Sequence, residues 1–224
     1  MNYLDEMMAM FPEELLKAFN LDIASISTAF GWFKSEGFVF ILLVIGCYSG
    51  LIGINILLKE ESDLTIEYLN SLPIKRTNIV LEKSLVGIIY IVLLVLGLSI
   101  LNLLGLLFEN ELNLKQYILL SITPLFSSLV IYFMCLFIST FTHKTKKMIG
   151  VGLGIVFISY ILNILSQISD SVSFLKYASV FTLSDIRNVI INVSINPLMI
   201  IISIFLSIIF LLLTIYRYNK KELV

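Results

Sequence analysis

Five long apolar runs constrain what this chain can fold into. None of them contains Asp, Glu, Lys or Arg, and each is near the roughly 20 residues that a helix needs to cross a bilayer. They are continuous and do not alternate in hydropathy, which favours helices over the strands of a membrane barrel. The sequence therefore predicts an all-α, polytopic membrane protein with five transmembrane helices. The runs are 37–58, 85–108, 117–141, 148–168 and 197–216.

The composition supports lipid as the main solvent of this chain. Hydrophobic residues make up 58% of it and charged residues 14%, against roughly 45–50% and about 25% in soluble domains. The net charge of −1 offers no basic surface of the kind that nucleic-acid-binding proteins use. Cys47 and Cys135 lie inside apolar runs, so we expect small apolar packing residues and neither a disulfide nor a zinc site.

The basic residues predict the orientation of the spans. Ten of the fifteen lysines and arginines fall in the loop 59–84, in the turn that follows Phe141 and in the C-terminal tail. Cytoplasmic loops of membrane proteins carry an excess of Lys and Arg, so these segments are predicted to be cytoplasmic. The loop 169–196 is then external and contains short interfacial helices. Residues 37–224 form a single transmembrane domain of a multi-pass cell-membrane protein, with the C-terminus inside.

An odd number of spans places residues 1–36 outside. This acidic segment is predicted to hold a short amphipathic helix that begins at Pro12. The apolar face of that helix would be Leu15, Leu16 and Phe19. Two explanations fit an external N-terminus: a span that precedes Met1 is missing from this chain, or the first span inserts with its N-terminus outward. The first explanation is favoured.

The most informative polar stretch is the loop 59–84. It opens with the acidic residues Glu60, Glu61 and Asp63, a composition that favours a helix N-terminus. Pro73 ends the short helix that follows, and the basic pair Lys75 and Arg76 comes next. An amphipathic helix beside a basic pair is typical either of an element that docks on a partner or of a helix on lipid headgroups. The apolar stripe of the helix consists of Leu64, Tyr68, Leu69 and Leu72.

These residues carry a resemblance to a known family. The loop resembles the first cytoplasmic loop of the permease subunits of type-2 ABC transporters, where an acidic pair after a span precedes a leucine-rich helix that ends in Leu-Pro. The stretch 11–19 resembles the outer loop between the first two spans in that family. Because the family has six spans, the resemblance implies that the first span is absent here. The matching positions are Glu60-Glu61, Glu67-Tyr68-Leu69, Ser71-Leu72-Pro73, Lys75-Arg76 and Lys83.

The resemblance implies a division of labour between subunits. This chain would form the substrate path of an ATP-driven exporter, beside a second permease copy or paralogue. The loop 59–84 would couple it to a separate cytoplasmic ABC ATPase. No cofactor is expected in this chain, since it has no Gly-x-x-x-x-Gly-Lys-Ser/Thr motif and ATP would bind the partner. The implied ATPase-coupling residues are Glu60, Glu61, Leu64, Tyr68, Leu69, Leu72, Pro73, Lys75 and Arg76.

An enzymatic function is disfavoured, and no catalytic or metal-binding residue is predicted. The only histidine, His143, lies among lysines in a predicted cytoplasmic turn. A metalloprotease would therefore lack its ligands and a serine intramembrane protease its base. No charge within the spans marks an ion path, which disfavours an ion-driven transporter. The alternative to a permease is a membrane protein that does not transport, such as a scaffold or an immunity protein.

Two features inside the spans predict how helices pack. Gly46, Gly50 and Gly53 are spaced for close helix contact, within the subunit or across a dimer. Pro124 lies inside the third run and is predicted to kink it. The carbonyl that the proline frees would be satisfied by Thr123, Ser127 or Ser128.

The predicted orientation can be checked by cysteine labelling. Lys75→Cys and Lys146→Cys should react with a membrane-impermeant thiol reagent only from the cytoplasmic side, because the basic segments face the cytoplasm. Lys115→Cys and Lys176→Cys should react only from outside. The measurement compares intact cells with inverted vesicles, and labelling of Lys115→Cys from the inside alone would reverse the orientation.

Overall fold

A computed structural model describes residues 28–63, 65, 73–108, 112–143, 145–168 and 170–221. Within these ranges every regular element is helical, and five helices are long and apolar enough to cross a membrane. The predicted all-α fold with five transmembrane helices is confirmed.

The first span is one helical stretch over Ala29–Ser62. It begins as a turn of α-helix at Ala29–Trp32, widens into a π-helix at Phe33–Gly37 and continues as α1 (Phe38–Ser62). The hydroxyl of Thr28 caps its start by accepting a hydrogen bond from the backbone N–H of Gly31 at 3.0 Å. π-Helical turns are rare and occur frequently at functional sites.

The remaining elements follow in chain order. The second span is α2 (Arg76–Leu106), and the third consists of α3 (Leu114–Ile122) and α4 (Pro124–Ser139). The fourth span is α5 (Thr145–Ile168). Two 3₁₀ helices (Asp170–Tyr177 and Val180–Ser184) and α6 (Ile186–Asn192) lead to the last span, α7 (Pro197–Lys220).

Pro124 interrupts the third span, as the sequence predicts. The proline has no N–H to donate to the carbonyl of Leu120. The hydroxyl of Thr123, which is fully buried, donates to that carbonyl instead at 2.8 Å. The carbonyl that the proline frees is therefore satisfied by a side chain, as a membrane interior requires.

The helix ends gather at two faces of the bundle. At one face, four helix ends are joined by polar contacts. Glu61 at the end of α1 contacts His143 in the turn after α4 and Lys221 directly after α7, and Arg76 at the start of α2 contacts Lys221. We call this face the basic end. The opposite face, the loop end, carries residues 170–196 between α5 and α7.

The last span shows how lipid changes the pattern of burial. The exposed face of α7 is apolar and includes Ile204 and Phe205, whereas Ser203 and Thr214 are buried. The two hydroxyls donate to carbonyls one turn back in the same helix, at 2.8 and 2.7 Å. Small residues whose polar atoms are satisfied locally let helices approach closely, while the large apolar side chains face lipid.

The three glycines of α1 pack inside the chain. A Cβ on Gly53 would lie 2.5 Å from the backbone oxygen of Tyr132 in α4. One on Gly50 would lie 3.3 Å from the backbone oxygen of Gly152 in α5, and one on Gly46 would meet the ring of Phe181 at 2.9 Å. The glycine stripe therefore serves contacts within the subunit.

The segment after α5 turns back into the bundle. Phe181 packs on Gly46, which is about 25 Å from either end of its helix at about 1.5 Å per residue. Ser184 shares a 2.7 Å hydrogen bond with Ser127 of α4, and the backbone N–H of Val180 donates to Ser159 of α5 at 2.8 Å. The predicted short helices are present, but part of this segment is buried among the spans. Irregular backbone is tolerated there because protein surrounds it.

The glycine contacts predict that a glycine-to-alanine substitution lowers stability at one site and not at another. Gly53→Ala should lower stability by about 1–3 kcal/mol, because the new methyl meets the backbone of α4, which cannot move aside as a side chain can. Gly97→Ala, in the exposed face of α2, should not destabilise, since nothing lies within 4 Å. Thermal unfolding in detergent measures both, and an equal loss of stability would contradict this account of the packing.

Candidate coupling site at the basic end

The structure describes part of the loop that the sequence assigns to coupling. Glu60, Glu61, Pro73, Lys75 and Arg76 lie within the described residues. The apolar stripe lies outside them, so its helix stays a prediction. The residues of that stripe are Leu64, Tyr68, Leu69 and Leu72.

Glu60 and Glu61 lie in the last turn of α1, which runs to Ser62 with Asp63 as its C-cap. The expectation that these acidic residues open a new helix is wrong, because the first span extends beyond its apolar run. A helix C-terminus carries partial negative charge, so carboxylates there are unfavourable unless cations compensate them. Each of the two glutamates has a cation beside it.

Glu61 is the centre of a buried charge cluster. Only 4% of the residue is exposed. Its carboxylate accepts hydrogen bonds from Nζ of Lys221 at 2.7 and 2.8 Å and lies 2.7 Å from Nδ1 of His143. Lys221 also donates to the carbonyl of Thr142 at 2.6 Å. The cluster therefore joins the end of α1 to the residue after α7 and to the turn after α4.

Arg76, the first residue of α2, extends this cluster. Its guanidinium donates to the backbone carbonyl of Lys221 at 2.8 Å. Burial lowers the pKa of Lys221 below its ordinary value, and the Glu61 carboxylate opposes that shift by stabilising the charged ammonium. The Glu61 carboxylate therefore favours the charged form of Lys221 at this buried position.

Glu60 forms a separate ion pair with Lys83 of α2, without the geometry of a hydrogen bond. Lys83 also donates to the carbonyl of Ile56 in α1 at 2.7 Å. The two side chains are 17% and 28% exposed, so this pair is more open to solvent than the buried pair of Glu61, although it is less open than a surface pair, which typically contributes about 0–1 kcal/mol. The ion pair holds the end of α1, which precedes the central part of the loop, against α2, which follows it.

The described residues between these two anchored helices face outward. Pro73, Ile74 and Lys75 are all exposed. Lys75 is the N-cap of α2, and its side chain makes no capping hydrogen bond. An exposed isoleucine beside a lysine makes this part of the surface both apolar and basic.

Sequence reasoning missed Lys221 and His143 as partners of Glu61. They lie 160 and 82 residues away along the chain, and no local pattern links them to it. One signal was available: Glu61 follows an apolar run almost directly, where an unpaired carboxylate is costly. The position of Glu61 therefore predicts a neighbouring cation but does not identify the residue that provides it. Among the described residues, no group of His, Cys, Asp and Glu could hold a metal ion.

Comparison with known proteins decides the family. The family model described as "ABC-2 family transporter protein" matches residues 2–223. The chain belongs to the ABC-2 transporter family. This confirms the resemblance found in the loop 59–84 and supports a permease role in membrane transport. Searches of curated proteins and of solved structures gave no match.

The two glutamates of the permease should respond differently to the loss of their charge. Glu61→Gln leaves the buried ammonium of Lys221 without its counter-charge, so we expect a loss of about 3–5 kcal/mol of stability. Glu60→Gln should cost clearly less, because the side chains of that pair retain contact with solvent, which screens their charges. Thermal unfolding of the purified permease in detergent measures both losses.

A double variant controls for the chemistry of the pair. Glu61→Leu combined with Lys221→Met removes both buried charges and should recover most of the stability that Glu61→Gln loses. Equal destabilisation by Glu60→Gln and Glu61→Gln would argue against a special role for Glu61.

Proposed function

We propose that this permease is a subunit of an ATP-driven exporter and that the loop 59–84 couples it to a separate cytoplasmic ATPase. One observation carries the proposal: the helices on both sides of the loop are fixed to the bundle by charges. Glu60 and Glu61 precede the loop's central part, and Arg76 and Lys83 follow it.

Fixed ends are what a coupling loop requires physically. A displacement of a loop is transmitted to the spans only if both ends of the loop are held firmly in the helix bundle. Glu61 links α1 to Lys221 after α7 and to His143 after α4, and Arg76 links α2 to the same lysine. Charge-assisted hydrogen bonds are shorter and stronger than neutral ones. A force on residues 64–72 would therefore reach α1, α2 and α7 together, as a connected set of rigid elements.

The distribution of charge supports the proposed orientation. Lys75, Arg76, Lys83 and Lys221 all lie at the basic end, and an excess of basic residues marks the cytoplasmic side. The C-terminus of α7 would then be cytoplasmic, on the side where an ATPase is found. As the family resemblance implies, a second permease copy or paralogue would complete the substrate path.

The coupling proposal predicts which substitutions release the ATPase. Leu69→Asp and Leu72→Asp should each weaken its association at least tenfold, because a buried leucine contributes roughly 1.5–3 kcal/mol and the new carboxylate would be desolvated in the contact. About 1.4 kcal/mol corresponds to one decade in affinity. The measurement is co-purification of the ATPase with membranes that carry each variant.

A matched control separates docking from a general effect of the new charge. Leu114→Asp makes the same change at an exposed position of the loop end, on the far side of the bundle, and should leave the ATPase bound. Membrane insertion is measured for every variant. Unchanged association in both loop variants would favour a helix on lipid headgroups and a protein that does not transport.

A further inference from the structure

A partly enclosed cavity of about 330 Å³ lies at the loop end. It is bounded by the π-helical turn Phe33–Gly37, by the end of α5 and by residues 173–187. It is far from the loop 59–84, and the proposed coupling does not use it.

The charges that line the cavity are mostly positive. Lys34, Lys176 and Arg187 contribute three cations, and Asp185 contributes the one carboxylate. None of the three cations forms an ion pair within the part of the chain that the structure describes. Nζ of Lys34 lies 4.9 Å from the ring of Phe30, and Nζ of Lys176 lies 5.0 Å from the ring of Tyr177. Glu36 belongs to the same π-helical turn but does not line the cavity. The lining itself therefore carries three cations and one carboxylate, an excess of positive charge that an anionic group would compensate.

The cavity changes from charged to apolar with depth. Lys34 and Leu42 both line it and are eight residues apart on one helix, a distance of about 12 Å along the axis. Phe181, which packs on Gly46 in the middle of the span, forms part of the apolar end together with Phe38. A ligand with a charged head and an apolar body matches this gradient.

Exposed aromatic residues place the charged end at the level of lipid headgroups. Trp32, two residues before Lys34 in the chain, is 52% exposed, and Tyr177, whose ring lies under Nζ of Lys176, is 83% exposed. Phe174 is exposed on the same 3₁₀ helix. Trp and Tyr are enriched where membrane spans meet the headgroup region. The cations are therefore at the depth of a lipid phosphate.

A buried acceptor adds a further polar feature to the lining. Oε1 of Gln167, a lining residue, is buried and accepts no hydrogen bond from the described residues. Its amide nitrogen donates to Oδ1 of Asn163 at 2.9 Å. Buried acceptors are normally satisfied, so this oxygen marks a polar part of the cavity wall that can accept a hydrogen bond from a bound molecule or from water.

We propose that this cavity binds a phosphate-bearing lipid. The phosphate lies between Lys34, Lys176 and Arg187, and the start of an acyl chain lies against Leu42 and Phe181. Arginine pairs with two phosphate oxygens at once, and lysine acts as a point charge on a third. A free phosphate would match the cations but not the apolar end, which is why a lipid is favoured.

The experiment measures lipid binding by the purified full chain in a neutral detergent. Radiolabelled dihexanoyl phosphatidic acid is the probe, read by scintillation proximity. Unlabelled phosphatidic acid should compete at least tenfold better than dihexanoyl phosphatidylcholine, whose choline cancels the charge. It should also compete at least tenfold better than glycerol 3-phosphate, which has no acyl chain.

Two charge variants locate the site. The double variant Lys34→Gln and Arg187→Gln should bind phosphatidic acid at least tenfold more weakly. Lys115→Gln removes one cation at the same end, at an exposed residue that does not line the cavity, and should change binding less than twofold. Thermal unfolding confirms that both variants fold.

Three results would overturn the proposal. Unchanged binding in the double variant would place the lipid elsewhere. An equal loss in Lys115→Gln would indicate attraction to the surface charge of the whole face. Competition by glycerol 3-phosphate as strong as that by phosphatidic acid would make the site one for a soluble phosphate.

Discussion

The buried pair between Glu61 and Lys221 is the interaction on which the basic end depends. A carboxylate at the end of an apolar helix must be neutralised, because desolvation of an unpaired charge costs several kcal/mol. Lys221 can reach Glu61 only when α7 ends beside α1, and His143 only when the turn after α4 lies there too. A buried pair contributes little net stability, but the wrong arrangement of helices is strongly penalised. The cluster therefore selects one way for these helix ends to meet.

Elsewhere in the bundle, contact between small groups replaces the hydrophobic driving force. Lipid tails are as apolar as leucine, so burying large side chains gains little, and close packing and hydrogen bonds decide which helices meet. Gly53 lets α1 approach the backbone of α4 at Tyr132. The hydrogen bond between Ser127 and Ser184 holds the 3₁₀ helix Val180–Ser184 against α4. These contacts hold Phe181 against Gly46, near the middle of the first span, where its ring forms one end of the loop-end cavity.

The first span connects the two regions to which we assign functions. Its helical stretch carries Lys34 and Leu42 in the cavity near one end and Glu61 in the charge cluster at the other. The glycines between them keep this stretch in close contact with α4 and α5. The first span is therefore the element of the chain that physically connects the loop 59–84 to the loop-end cavity.

The sequence by itself determined the spans, the interruption at Pro124 and the loop that reveals the family. These follow from local properties: the apolar length needed to cross a bilayer, the missing N–H of proline, and a short run of residue types. Only the tertiary structure decided that Glu60 and Glu61 end a helix and that Lys221 neutralises Glu61 from 160 residues away. It alone brought Lys34, Lys176 and Arg187 to one cavity. Such pairings depend on which helix ends meet, and residues so far apart in the chain share no local pattern that would link them.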